Sequence, residues 1–422
     1  MSPQLLAMAL APLLGLFIVS MGNGLLSSIT TLRLDAAGAS ALQIGLVSSA
    51  YFIGLTLGSF FNDRLILRIG HIRAYSCFAS MIAVTVMLQG LGNDISAWFI
   101  LRLINGWACV GVYLVIESWL LLASDPKARG RVLAVYMIAL YGSGMFGQAA
   151  IGLVSGLGDS APFLIIGMLA SLSVMPVVMI PRVTPLVERV EALSPRQLLR
   201  VTPTGVMGCF GSGVAIAAVY TLLPLYLQHR GMDLNEVGRM MACVILGAMV
   251  LQYPVGRWSD RQDRQWVLMV LCAACLALSL GIIVLPISGW LLGAALFLLG
   301  GGIFAIYPVA VSHSADRAPA GAVVPMIQGL LLINSIGSAL SPMTVGQLMA
   351  KVGDNGLFWA FALLNLLMVG YFAWRRTQRA APESAAPFAA AAQMSPTGVE
   401  LRVTEDLQAA MDEASEVDTK AA

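Results

Sequence analysis

Apolar runs of about 20 residues recur from Leu5 to Trp374, and no stretch sustains the alternation of a strand. A helix of about 20 apolar residues crosses the roughly 30 Å of hydrocarbon in a bilayer. Within that layer no water satisfies backbone N–H and C=O groups, so spans without strand patterning have to be helices. Charged residues make up 11% of the chain and hydrophobic ones 58%, against roughly 25% charged in a soluble domain. Such an inventory cannot build a water-facing surface, and it predicts an all-α polytopic membrane protein. The first apolar run reaches about Ile29 with no charged residue ahead of it and no clear cleavage site, and reads as a span rather than a removed signal peptide.

Twelve spans are expected, near 5–32, 42–62, 74–91, 97–122, 132–156, 162–180, 205–228, 237–256, 266–285, 290–311, 321–346 and 356–374. The long polar connection from Pro181 to Thr204 divides six from six. With the N-terminus in the cytoplasm, 17 of the 24 Lys and Arg fall in inner loops or at the start of the tail. Only Arg33, Arg230, Arg239 and Lys351 fall in outer loops. The positive-inside rule then predicts both termini in the cytoplasm. From about Thr377 the chain turns Ala-rich and acidic, which reads as a disordered cytoplasmic tail. The expected division is a bundle over 1–180, a linker over 181–204, a bundle over 205–376 and a tail over 377–422.

An internal repeat supports the halves. Gln43-Ile44-Gly45 and Glu236-Val237-Gly238 stand 193 residues apart, as do Gly54 and Gly247, and Arg68 and Arg261. Gly111 and Gly302 stand 191 apart, as do Gly130 and Gly321. Six spans separate the copies, so both insert with the same topology, a parallel repeat.

Other chemistries find little footing. The six cysteines all lie in apolar runs, and Cys272-x-x-Cys275 has no second ligand pair, so helix packing explains them. His71, His229 and His313 fall at expected span ends or in loops, which disfavours a membrane-embedded enzyme. No catalytic motif, nucleotide-binding loop or basic nucleic-acid patch stands out, and neither cofactor nor metal is expected.

One charge-dense turn sits between the second and third spans of the second half: Gly256, Asp260, Arg261 and Arg264 in the pattern Gly-x-x-x-Asp-Arg-x-x-Arg. It resembles the cytoplasmic loop signature of the major facilitator superfamily, and the chain is similar to that family's uncharacterised bacterial branch. Asp263 replaces the family's second glycine. In the first-half copy Arg68, Gly70 and Arg73 fit, but Leu67 stands where Asp is expected; Asp63 and Arg64 lie one turn earlier. The resemblance implies twelve helices in two six-helix bundles, and an Asp260 that faces the start of the fifth span near Arg129-Gly130-Arg131 and holds the cytoplasmic side closed. A helix N-terminus attracts a carboxylate by up to about 2 kcal/mol; anchoring of these charges to lipid headgroups is the other reading. In the fourth span Arg102, Gly106 and Gly111 resemble a further family pattern, with Ala108 at its middle glycine. Arg102 either snorkels to the interface or faces the cavity, where the family uses such an arginine in proton coupling or anion binding. The fifth span's Gly142, Gly144, Gly147 and Gly152 only partly match the family's antiporter signature, lack its proline, and read as close helix packing.

Glu117 is the one acidic residue well inside an expected span, eight residues before Asp125, or about 12 Å from that helix end. A carboxylate at such depth has to be paired or protonated. Arg102 is about 22 Å away along the same helix, out of reach. Three roles are open: pairing with Arg68 or Arg73 in a cytoplasmic gate, proton coupling, or a purely structural pair. Polar and aromatic residues in spans give a candidate cavity: Asn23, Asn105, Tyr113, Tyr136, Gln148, Tyr220, Gln252, Phe304, Gln328 and Asn334. Tyr307 belongs to the wider set, and any single member can instead serve an interhelical hydrogen bond. Together they hint at a neutral or amphipathic solute. The expected function is secondary active transport of a small molecule by alternating access in the bacterial inner membrane, as a monomer, with a proton as coupling ion. A transporter-fold sensor signalling through the acidic tail is the alternative.

Overall fold

The computed structural model describes residues 3–123, 129–179, 193–318 and 322–378. Lys127, Arg182, Arg189, Gly321 and the acidic tail from Arg379 lie outside the described residues. In the first half run α1 (Pro3–Ala36), α2 (Ala41–Ile69), α3 (His71–Gln89), α4 (Ile95–Ala123), α5 (Arg129–Ala149), α6 (Ile151–Ser155), α7 (Ala161–Leu172) and α8 (Val174–Val178). A short α9 (Pro195–Val201) leads into α10 (Pro203–His229), α11 (Leu234–Ser259), α12 (Arg264–Val284), α13 (Gly289–Ala315), α14 (Val323–Val352) and α15 (Gly356–Gln378). No strand occurs among the described residues. With α7 and α8 taken as one, 11 helices have the length and apolar character to cross a membrane. The pair α5 and α6 is the remaining span, fifth in order, and completes the twelve. The break before α8 has a local cause: Pro176 has no N–H to donate to Leu172, and Ser173 Oγ turns back onto the Ala170 carbonyl at 2.7 Å.

Several helices outrun their expected spans. α2 continues through Asp63, Arg64 and Arg68, and α11 reaches Ser259, so residues expected in loops are helical. Hydropathy ends where charges begin, but a helix leaving the bilayer keeps its own hydrogen bonds. The turn between α2 and α3 is Gly70 alone, at φ 86°, a backbone region that favours glycine. Likewise α13 runs past the expected end to Ala315, so His313 is a buried helical residue.

The repeat has a physical content at each position. Ser40 and Asp233, also 193 apart, cap α2 and α11. Gln43 and Glu236 close the two capping boxes: Ser40 N–H donates to Gln43 at 2.8 Å, and Asp233 N–H to Glu236 at 3.2 Å. A Cβ on Gly54 would overlap the Leu103 carbonyl of α4, and one on Gly247 the Phe297 carbonyl of α13. Gly111 leaves room for the Phe78 ring of α3, and Gly302 for the Cys275 sulfur of α12. The second and fourth spans of each bundle therefore touch backbone to backbone, and the third packs into the fourth.

Gly45 and Gly238, the next repeated pair, act between bundles. A Cβ on Gly45 would stand 2.8 Å from the Pro342 carbonyl oxygen of α14, and one on Gly238 2.6 Å from the Gln148 carbonyl oxygen of α5. These contacts bring the bundles together at the end that carries the α1–α2 and α10–α11 turns.

Candidate functional site

Between the bundles lies a cavity lined by side chains of both. α1, α2, α4 and α5 line one side, and α10, α13 and α14 the other. Asn23, Tyr113, Tyr220, Phe304 and Asn334 stand on its wall as expected. Asn23 Nδ2 donates to the Tyr51 hydroxyl at 2.8 Å and more loosely to that of Tyr113 at 3.4 Å.

The other five expected wall residues do different work. Gln148 donates to the Gly24 carbonyl and accepts from Ser28 Oγ, both at 2.8 Å, tying α5 to α1. Tyr136 donates to Glu117 at 2.9 Å. Asn105 is buried on α4 beside the Cys109 thiol, 3.9 Å away. Gln252 is buried on α11 and Gln328 half-buried on α14, and neither is among the lining residues. Nor is Tyr307, which is fully buried on α13. A polar group in a span satisfies itself on whichever neighbour it meets, helix or cavity. Residue type alone cannot separate those cases. Tyr51 and Tyr141 on the wall were missed because each reads as an aromatic in an apolar run, with no repeat partner to single it out.

Arg102 neither snorkels nor lines the cavity. Its side chain is 1% exposed, and its guanidinium lies over the Tyr51 ring, 4.6 Å from the centroid. It therefore stands behind a wall residue. Its Nε and Nη1 have no hydrogen-bond partner among the described residues.

Glu117 is 4% exposed on α4 and accepts from Tyr136 on α5. Of the three open roles, the pairing with Arg68 or Arg73 is not among the described ion pairs, and both arginines are exposed. The continuation of α2 to Ile69 carries Arg68 out beyond the packed interior.

The Gly256–Arg264 turn builds a compact network. Asp260 ends α11, over a buried Gly256, and accepts from Arg264 Nη2 at 3.3 Å. Arg264 Nη1 donates to Asp316, at the end of α13, at 2.8 Å, and these two side chains are only 2% and 3% exposed. Arg261 is exposed. Asp263, where the family has glycine, caps α12 by accepting from the Gln265 N–H at 3.0 Å and pairs with Arg376 of α15 at 3.5 Å. The side chains of Arg129 and Arg131, the expected surroundings of Asp260, lie outside the described residues. Asp316 was not legible, because its partner is 52 residues away in sequence.

At the opposite end His229, the last residue of α10, lies between two carboxylates. Nδ1 is 2.7 Å from Asp354 in the α14–α15 turn, and Nε2 is 3.2 Å from Asp35 on α1. One imidazole thus bridges the two bundles.

The family model of the Major Facilitator Superfamily matches residues 13–330. The chain belongs to the major facilitator superfamily. It is 33% identical over 358 residues to the uncharacterized MFS-type transporter YcaD of Salmonella arizonae, covering 84% of this chain and 92% of that protein. It is 32% identical over 367 residues to the MFS-type transporter Ent638_1421 of an Enterobacter species, covering 85% and 94%. Among solved structures, the nucleoside transporter NupG superposes with a TM-score of 0.71 at 14% identity, over 88% of this chain and 98% of that one. The D-xylose-proton symporter follows with 0.68 at 13%, over 87% and 96%. At such identities these structures share the fold alone. The protein is a multi-pass membrane transporter with the twelve-helix fold of the superfamily; the relatives support that reading and not the sensor.

Proposed function

We propose that the protein is a secondary transporter that carries a small molecule through the central cavity by alternating access. The observation that carries this reading is a cavity walled by both bundles, with the bundles in contact beyond it at the His229 end. The excess of Lys and Arg at the other end makes that end cytoplasmic, with both termini inside. The cavity is then closed toward the outside. Residues 181–204 serve as a cytoplasmic linker between bundles 1–180 and 205–376, and 377–422 as a cytoplasmic tail. The protein works as a monomer in the bacterial inner membrane. The network of Asp260, Arg264 and Asp316 stiffens the cytoplasmic end of the second bundle; Arg261 lies in the same turn, and Arg68, Gly70 and Arg73 in the corresponding α2–α3 region of the first.

A proton is the coupling ion, and Glu117 with Tyr136 is its station. A carboxylate buried this deeply switches between a neutral form and a charged form that needs donors, so its protonation state can bias the packing of α4 on α5. The test is flux in proteoliposomes with and without an imposed proton gradient. Glu117→Gln should abolish gradient-driven uptake or lock the transporter in one access state. Flux like the wild type's from about pH 5 to about pH 8, a range wide enough to reverse an imposed proton gradient, would remove Glu117 from the mechanism.

A further inference from the structure

The cavity wall carries no charged side chain among its lining residues. Three rings form a continuous cluster on it. Phe304 meets Tyr141 at 5.9 Å between centroids and Tyr220 at 5.8 Å, both edge to face. Tyr141 belongs to the first bundle and the other two to the second, so a flat ring resting there touches both. Elsewhere on the wall the Tyr51 and Tyr113 hydroxyls accept from Asn23, with the Cys109 thiol beside the first and the Ser20 hydroxyl beside the second, and each carries an O–H donor.

Behind Tyr51 stands the Arg102 guanidinium, buried and joined to no carboxylate among the described ion pairs. Glu117 is about 22 Å away along the same helix. An unneutralised charge surrounded by protein is weakly screened, so its potential extends into the adjoining cavity. A cation entering there is repelled. An anion is attracted but finds no charged partner on the wall to offset its lost hydration. A neutral ring incurs neither cost, and acceptor atoms on its edge face both the hydroxyl donors and the positive potential.

We infer that the cavity selects an uncharged, flat ring compound bearing hydrogen-bond acceptors, and that Arg102, acting through Tyr51, sets this specificity by excluding organic cations. The inference rests on the transporter reading of the same cavity.

The test uses the full-length protein in mild detergent, a set of one- and two-ring aromatic scaffolds, and a set of sugars of similar size. Each scaffold is offered as neutral amide, carboxylate and N-methylated cation; nicotinamide, nicotinate and 1-methylnicotinamide form one such trio. Affinities come from ligand-induced rises in melting temperature, which follow occupancy of the folded state. Neutral members should bind best and cations worst. Arg102→Gln should raise cation affinity relative to the matching amide on the order of tenfold, as expected for removing one poorly screened charge nearby. Arg102→Lys, which keeps the charge, should keep the discrimination. Phe304→Ala should weaken the neutral rings and leave the cation-to-neutral ratio unchanged; it provides an independent measure if the arginine variants fold poorly. Cations that bind the wild type as well as their amides do, a ratio unmoved in Arg102→Gln, or binding by sugars in place of rings would each overturn the inference. So would a ring set in which nothing binds. Flux of the bound compound into proteoliposomes separates the two claims. A neutral ring that binds but is never carried sinks the transporter reading and leaves the binding class standing; a carried sugar or cation does the reverse.

Discussion

At the end that carries His229, the bundles meet across their interface. Gly45 lies against the Pro342 carbonyl, Gly238 against that of Gln148, and one imidazole reaches a carboxylate on each side. At the other end the described ion pairs, Arg264 with Asp316 and Asp260 and Arg376 with Asp263, all join residues of the second bundle. The deepest ion pairs of the two ends also differ. The side chains of His229, Asp35 and Asp354 are 29% to 44% exposed, whereas those of Arg264 and Asp316 are 2% and 3%. A machine whose halves rock needs bonds between halves that part readily and bonds within a half that do not. Exposed ionic contacts contribute little, and buried ones are costly to break. Among the described ion pairs, the deeply buried one, Arg264 with Asp316, lies within a bundle, and the one that joins the bundles, His229 with Asp35, is exposed.

The largest effect should come from the buried pair. Arg264→Ala removes the guanidinium from a buried Asp316 and should cost about 3–5 kcal/mol of stability, read as a fall in melting or denaturant midpoint in detergent. A loss below about 1 kcal/mol, the scale of a surface pair, would erase the contrast between the ends.

Wedging the interface should act next in size and in a different way. Gly238→Val or Gly45→Val places a branched side chain against a backbone carbonyl of the other bundle, an overpacking cost of about 1–3 kcal/mol. That cost is relieved by parting the bundles, so it should appear as a shift of access state rather than as unfolding. Spin labels on the exposed Asn93 and Lys351, one on each bundle, should move apart in the wedged variants. An unchanged distance with a lowered melting temperature would mean that this interface does not open.

The smallest effect belongs to the imidazole bridge. His229→Ala should move the same distance in the same direction, by a free energy of about 0.2–1 kcal/mol. Only the doubly protonated ring donates to both carboxylates. The bridge should therefore loosen as the pH rises through the range in which imidazole titrates, about 5 to 8, and His229→Ala should show no such dependence. A pH response that survives in the variant would place the titrating group elsewhere.

Much of the scaffold was readable because it answers to one-dimensional rules. Membrane-length apolar runs must be helices, and glycines recur at one offset where two backbones touch, as Gly54 and Gly247 do. Helix ends were less readable: α2 carries Asp63 to Arg68 as helix because its charges already lie past the apolar stretch. The cavity was half readable. Asn23 and Gln148 look alike in sequence, and only the direction each faces separates a wall residue from a tie between α1 and α5. Pairings across long separations, Arg264 with Asp316 and His229 with both Asp35 and Asp354, leave no mark in a single chain. The imidazole bridge falls on residues whose sequence setting suggested only loop ends.

The backbone contacts of α2 on α4 and of α11 on α13 have a consequence for how such a protein can change over generations. Gly54 and Gly247, which hold each bundle's shape, do not line the cavity, and Tyr141, Tyr220 and Phe304, which do, take no part in those contacts. Replacing the lining rings leaves the frame that moves them untouched. The cargo can therefore drift by single substitutions while the moving parts are inherited unaltered.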